Sequence, residues 1–186
     1  MRIISGVFKG KKIFSPNDRF TRPLRDLVKE SIFNLIEHSN KFNCKIEDSN
    51  ILDLFSGTGS FGLECISRNA KNVTFIENHK EAIVVLKKNI LSLNLRNNYK
   101  IIEQNCFDYL NNIERNSKKY DLIFFDPPFK EKKINELIEI IKEKKVLNKN
   151  GVILIHRHKK DDVIISKKLS ILDQRSYGIS KIIFGN

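Results

Sequence analysis

From about residue 50 onward, short apolar runs alternate with stretches whose apolar residues recur every three or four positions. The runs "NILDLF" (50–55), "NVTFIE" (72–77), "YKIIEQ" (99–104), "YDLIFFD" (120–126) and "GVILIH" (151–156) have strand length and strand composition. Between them, helices are expected to start near Ser60, Lys80, Cys106 and Lys132. The helix over 80–93 would turn Ile83, Val84, Leu86 and Ile90 toward a sheet. Such alternation builds a parallel sheet with helices on both faces. A last helix is expected over 161–167. The closing runs "LSILDQRS" (169–176) and "SKIIF" (180–184) meet at Tyr177-Gly178. No crossover helix fits between them, so they predict an antiparallel hairpin at the sheet edge. The class is α/β and Rossmann-like, a mostly parallel seven-stranded sheet with an antiparallel last strand.

The first forty residues follow another pattern. "RIIS" and "KKIF" flank a loop with Gly6 and Gly10 and predict a small β-hairpin over the first fourteen residues. A proline-containing loop, "SPNDRFTRP", follows. A helix is then expected over 24–37, with Leu24, Leu27, Val28, Ser31, Ile32, Leu35 and Ile36 on one buried stripe. Lys29 and Glu30 fall opposite that stripe and read as a solvated face. The chain divides on this reading into an extension, 1–40, and a main domain, 41–186.

Composition narrows the partners. The 186 residues are 40% hydrophobic and carry a formal charge of +12. They are long enough to bury a sizeable core and not disordered by composition. Residues 1–30 hold eight basic side chains against three acidic ones, which favours a docking surface for a polyphosphate over a general lysine bias. Cys44, Cys65 and Cys106 are odd in number and widely spaced, so neither a disulfide framework nor a zinc knuckle is suggested. "HRH" at 156–158 offers two alternating histidines without an evident third ligand, which makes no metal signature. No apolar run reaches the roughly 18 residues of a membrane span, and "MRIISGVFKGKK" has no apolar signal core. A cytoplasmic, monomeric protein is expected.

Two motifs carry chemistry. "DLFSGTGSFG" (53–62) places G-x-G-x-x-G at Gly57, Gly59 and Gly62, between a strand and a helix. Backbone can approach a ligand closely there. Glu77 ends the next strand, twenty residues after Gly57, where a carboxylate can accept two hydrogen bonds from a ribose diol. A nucleoside-containing cofactor follows, and both NAD and S-adenosylmethionine suit this much. Asp53 favours the methyl donor, because a carboxylate meets a cationic amino-acid tail and repels a pyrophosphate. Phe55 lies in the same cradle. "EQNCFDYL" adds Asn105 and the Cys106 amide as the preferred readers of an adenine edge, with Asp108 as the alternative or a helix-surface acid.

The second motif is "DPPF", Asp126, Pro127, Pro128 and Phe129. An exocyclic amine on a base is a poor nucleophile because its lone pair is delocalised into the ring. Asp126 and the Pro127 carbonyl can accept its N–H groups and localise that pair. Consecutive prolines fix φ and remove two donors. Phe129 can stack on an extruded base. The tetrad also suits adenine N6 or a glutamine amide. An NAD-linked oxidoreductase and a non-catalytic RNA-binding assembly factor are the readings from other classes.

Together "RIISGVFKGKKI", "TRPLRDLVKESIFNLI", "LDLFSGTGSFGLECISRNAKNVTFIE", "FFDPPF" and "RSYGISKIIF" resemble the RsmD family of bacterial 16S rRNA guanine-N2 methyltransferases, over nearly the whole length. The resemblance implies a class I methyltransferase fold, S-adenosylmethionine as cofactor, and 16S rRNA within an assembled or assembling small subunit as substrate. It also implies that the N-terminal hairpin, with Lys9 and Lys11, and Arg22 face RNA. One departure stands out: Leu24 follows Thr21-Arg22-Pro23 where the family usually has a small hydroxyl residue.

Overall fold

A computed structural model describes residues 1–15, 24, 26–128 and 130–186. Arg22 and Phe129 therefore lie outside the described residues. The elements run α1 (Asp26–His38), β1 (Asn50–Leu54), α2 (Ser60–Ser67), β2 (Asn72–Glu77), α3 (Lys80–Ser92), β3 (Tyr99–Glu103), α4 (Cys106–Asn112), β4 (Tyr120–Phe125), α5 (Ile134–Lys144), β5 (Leu147–His158), β6 (Ile171–Tyr177) and β7 (Ser180–Gly185). The sheet order is β3-β2-β1-β4-β5-β7-β6. Strands β1 to β5 pair in parallel, and β7 runs antiparallel to both β5 and β6. The expected fold class is the observed one.

The central strands are apolar on both faces, as strands covered by helices must be. Side-chain alternation sorts them into two cores. Ile51, Leu122 and Phe124 face the α1–α2 side with Phe33 and Phe61. Leu52, Ile123 and Phe125 face the side of α4 and α5 with Leu110 and Ile138. Ile3, Ile13, Leu24 and Val28 of the N-terminal region belong to the first core.

Four local expectations fail, each for a stated reason. Residues 161–166 form no helix. Asp161 turns inward to Arg157, and Ile164 O and Ser166 N bond to the Asn135 side chain at 2.8 and 2.7 Å, so neighbours satisfy the segment. The N-terminal hairpin shrinks to one bridge, Arg2 with Lys12. Ile3, Gly10 and Ile13 still donate across it, to Lys11 O, Ile3 O and Met1 O, but between them the N–H groups go to α2: Ile4 and Ser5 donate to the Glu64 carboxylate, Val7 to Ser67 O and Phe8 to Ser67 Oγ. Gly6 lies so close that an added Cβ would sit 1.8 Å from Ser67 O, at a φ of +78°. On α1 and α3, Leu27 and Val84 face solvent, and Phe33 and Asn89 take up core positions.

The fourth correction is Lys29, which is fully buried rather than solvated. Its ammonium donates to Arg2 O at 2.7 Å and Ser60 Oγ at 3.3 Å, and lies 3.6 Å from Glu64 Oε2. Burial pulls its pKa below the ordinary lysine value, against the opposing pull of Glu64 and Asp26. Glu64 is buried too, and Arg68 Nε donates to its Oε1 at 3.0 Å. Removing one partner of such a pair orphans a buried charge, at a cost of about 3–5 kcal/mol. Glu64→Leu is therefore expected to cost that much in urea unfolding. Adding Lys29→Met should recover part of the loss, because the orphaned ammonium goes with it. Equal stability of wild type and Glu64→Leu would contradict the account.

Candidate active site

The glycine loop leaves β1 at the sheet's switch point, where neighbouring connections run to opposite faces. Phe55 turns the chain at a φ of +60°, a rare conformation for a non-glycine residue. Ser56 N donates to Ile76 O at 3.0 Å, and Gly57 N to Glu77 Oε2 at 2.7 Å. Gly59 closes the turn through Ser56 O at 2.8 Å. Gly62 lets α2 lie on β2, since a Cβ there would sit 2.2 Å from the Phe75 ring. Behind the loop, Asn89 Nδ2 donates to Thr58 O at 3.0 Å and Phe14 O at 3.1 Å, while its Oδ1 accepts from Phe14 N at 2.7 Å. One α3 side chain thus joins the cradle to the N-terminal region.

Asp53 and Glu77 flank this loop. Asp53 is 1% exposed; its Oδ2 accepts from Gly62 N at 3.0 Å, and its Oδ1 is buried without a hydrogen-bond partner. Desolvation lifts its carboxyl well above the usual range. The Gly62 N–H opposes that, and the neighbouring Asp126 and Glu77 carboxylates add to it. Glu77 Oε1 accepts from Asn78 N and His79 N at 2.9 and 2.8 Å, so its rotamer is set in advance.

Asn105 and Cys106 open α4 at the end of β3. Asn105 Oδ1 is the helix cap, accepting from Phe107 N at 2.8 Å. The Cys106 thiol is buried, and desolvation pushes it up to about 12, so it stays protonated. Asp108 is exposed on the first turn of α4. Lys9 and Lys11 are exposed on the N-terminal loop.

Asp126 and Pro127 follow β4 directly. Parallel register sets Phe125 beside Ile155, which brings Asp126 alongside His156. Asp126 Oδ1 lies 2.7 Å from His156 Nδ1. On the other face of β5, the buried Arg157 donates to Pro128 O at 3.3 Å and Glu131 O at 3.0 Å, and pairs with Asp161. The end of β5 thus clasps the DPPF loop from both sides. The sequence reading weighed "HRH" only as a metal motif. The signal that could have found this role was the adjacency of two parallel strands ending in Asp and His.

The switch-point loop, the Glu77 carboxylate bonded to it and the acid ahead of two prolines define the class: an S-adenosylmethionine-dependent methyltransferase of the class I fold. A cofactor carrying a sulfonium and an ammonium suits a cradle in which three carboxylates oppose one another's charge and one buried oxygen lacks a partner. The chain belongs to the family described as conserved hypothetical protein 95, the RsmD family, whose model matches residues 1–186. It is 36% identical over 173 residues to ribosomal RNA small subunit methyltransferase D of Buchnera aphidicola subsp. Acyrthosiphon pisum, covering 93% of this chain and 86% of that one. It is 33% identical over 181 residues to the Haemophilus influenzae protein of the same name, covering 96% and 90%. A solved Escherichia coli structure, provisionally named a methyltransferase, superposes with a TM-score of 0.83 at 25% identity, covering 100% of this chain and 96% of that one.

Asp53 supplies a pH test of the cradle. A cation in the cleft favours the ionised carboxylate, so binding lowers a pKa that burial has raised. Between the two values, S-adenosylmethionine binding should release a proton, and affinity should rise with pH. Calorimetry in buffers of different ionisation enthalpy reads this directly. Asp53→Asn should abolish the proton release, and unchanged release in that variant would contradict the assignment.

Proposed function

We propose that this protein transfers a methyl group from S-adenosylmethionine to the exocyclic N2 amine of a guanine in 16S rRNA of the small ribosomal subunit. The reading is carried by Asp126, held at the end of β4 and close enough to the cradle to raise the Asp53 pKa. Relatives named ribosomal RNA small subunit methyltransferase D, matched along nearly the whole chain, support the RNA substrate.

S-adenosylmethionine, when bound, supplies an electrophilic methyl group. Glu77 holds the ribose, Asn105 and the Cys106 amide meet the adenine, and Asp53, Phe55 and the Gly57–Gly59 loop serve the methionine end. Asp126 and the Pro127 carbonyl accept the N–H groups of the guanine amine and localise its lone pair. Phe129 stacks on the base and Pro128 keeps the loop rigid. Methylation leaves the nitrogen with one proton too many, and Asp126 takes it and passes it to water. A weak base suffices, because that proton has become acidic. The site's largest contribution is in-line placement of the amine.

The basic loop with Lys9 and Lys11, together with Arg22, faces the RNA backbone. The N-terminal region, 1–40, acts as a docking extension to the catalytic domain, 41–186. Among the described residues, no helix is long and apolar enough to cross a membrane. The protein works as a monomer in the cytoplasm on an assembled or assembling subunit.

Transfer of labelled methyl to small subunits and to naked 16S rRNA, followed by nucleotide mapping, tests the whole reading. N2-methylguanosine is the expected product, and label on adenine N6 or on protein would overturn the substrate assignment. Asp126→Ala should lower turnover by about 10²-fold or more while cofactor binding survives. Lys9→Glu with Lys11→Glu should weaken subunit binding and flatten its salt dependence, because each neutralised phosphate releases counterions. Cofactor affinity should stay unchanged.

A further inference from the structure

His156 has no role in the reading above, yet it is the side chain that holds Asp126. His156 is 8% exposed and sits on β5, between β4 and β7. Its Nδ1 meets Asp126 Oδ1 at 2.7 Å, and its Nε2 meets Ser180 Oγ at 2.8 Å. Ser180 is itself buried, at 6% exposure. His156 pairs in register with Ile182, so Ser180 lies two residues along β7 on the same sheet face. From this point of β5 the ring reaches both neighbours.

Chemistry fixes the direction of both bonds. An ionised carboxylate can only accept, so Nδ1 must carry the proton. In the neutral ring Nε2 is then the acceptor, and the Ser180 hydroxyl must donate to it. The Asp126 carboxylate therefore selects the tautomer, and the Ser180 hydroxyl satisfies the far nitrogen and holds the ring in place. The terminal torsion of an aspartate is soft, so an unrestrained carboxylate presents either oxygen over a broad arc. With Oδ1 pinned, Oδ2 is the oxygen left without a hydrogen bond to any described residue. That is the acceptor an incoming amine needs.

We propose that His156 is a positioning residue for Asp126, and that Ser180 and His156 together aim one carboxylate oxygen at the amine to be methylated. The proposal rests on the reading of Asp126 as the group that accepts the amine N–H. No proton moves through His156: it donates at Nδ1 throughout, and the proton lost from the amine leaves by Asp126 Oδ2.

The test compares three variants at position 156. Asn carries an amide nitrogen near the place of Nδ1, Gln near that of Nε2, and Leu neither. His156→Asn should stay within about threefold of wild-type kcat. His156→Gln and His156→Leu should lose about 10- to 100-fold in kcat, the range for removing a group that orients a reacting one. KM for the small subunit and the calorimetric Kd for S-adenosylmethionine should not move. Ser180→Ala should fall between, because Nε2 loses its partner and the ring is held at one end only. The Asn–Gln contrast keeps the test decisive even where His156→Leu folds poorly. Full kcat in His156→Gln beside an inactive Asp126→Ala would overturn this proposal alone. Equal loss in Asn and Gln, with lowered melting temperature and weakened cofactor binding, would reduce His156 to packing. Full activity in Asp126→Ala would overturn both this proposal and the reading beneath it.

Discussion

The rest of the structure hangs on the buried carboxylate of Glu64. It accepts from the backbone N–H groups of Ile4 and Ser5 and from Arg68 Nε, and it lies against the Lys29 ammonium. An isolated carboxylate at that depth would cost several kcal/mol. Four donors from three parts of the chain offset the cost, so none of those parts can leave alone. Geometry then extends the effect. Ser60, Glu64 and Ser67 recur at helical spacing on a helix whose residues are all buried. Ser60 meets Lys29, and Ser67 meets Ser5 and Phe8. The helix that begins at the glycine loop is thus bonded along one polar stripe to the N-terminal region. A helix of two turns thus joins the basic loop to the glycine loop.

A second clasp works at the other strand end. β5 holds the DPPF loop through His156 on one face and Arg157 on the other. Two prolines restrict φ but leave the loop free to swing as a unit about its ends. Bonds from a central strand remove that freedom. Arg157 is buried, and its charge is met by Asp161, which explains why residues 161–166 turn inward instead of forming a helix.

The sheet was legible in the sequence because its information is local. Central strands read as continuous apolar runs, and the two-residue link before Ser180 forces an antiparallel return. The glycine loop and Glu77 were legible for the same reason, since adjacent parallel strands bring their ends together. Glu77 and Asp126 do converge on Asp53 closely enough to raise its pKa. What stayed hidden was every polar group with a distant partner. Lys29 sits opposite an apolar stripe, and helical periodicity assigns that face to solvent. Only the docking of the N-terminal region over α2 buries it. Val84 errs the other way, because α3 leans on the sheet through Leu86, Asn89 and Ile90 and leaves that apolar side chain outside.

Asn89 shows why such residues resist sequence reading. A lone asparagine among apolar positions reads as a break in the stripe. In the fold it exchanges two hydrogen bonds with the Phe14 backbone and adds one to Thr58 O. The backbone of residue 14 has no strand partner there, so an amide replaces the missing ladder. The same logic governs His156 and Glu64. Each polar side chain stands where chain segments from different layers meet and regular secondary structure cannot satisfy the backbone or hold a neighbouring side chain. In this protein those junctions are the N-terminal region against α2, the cradle against α3, and the DPPF loop against β5. They are the places where the common fold is made to present one particular site.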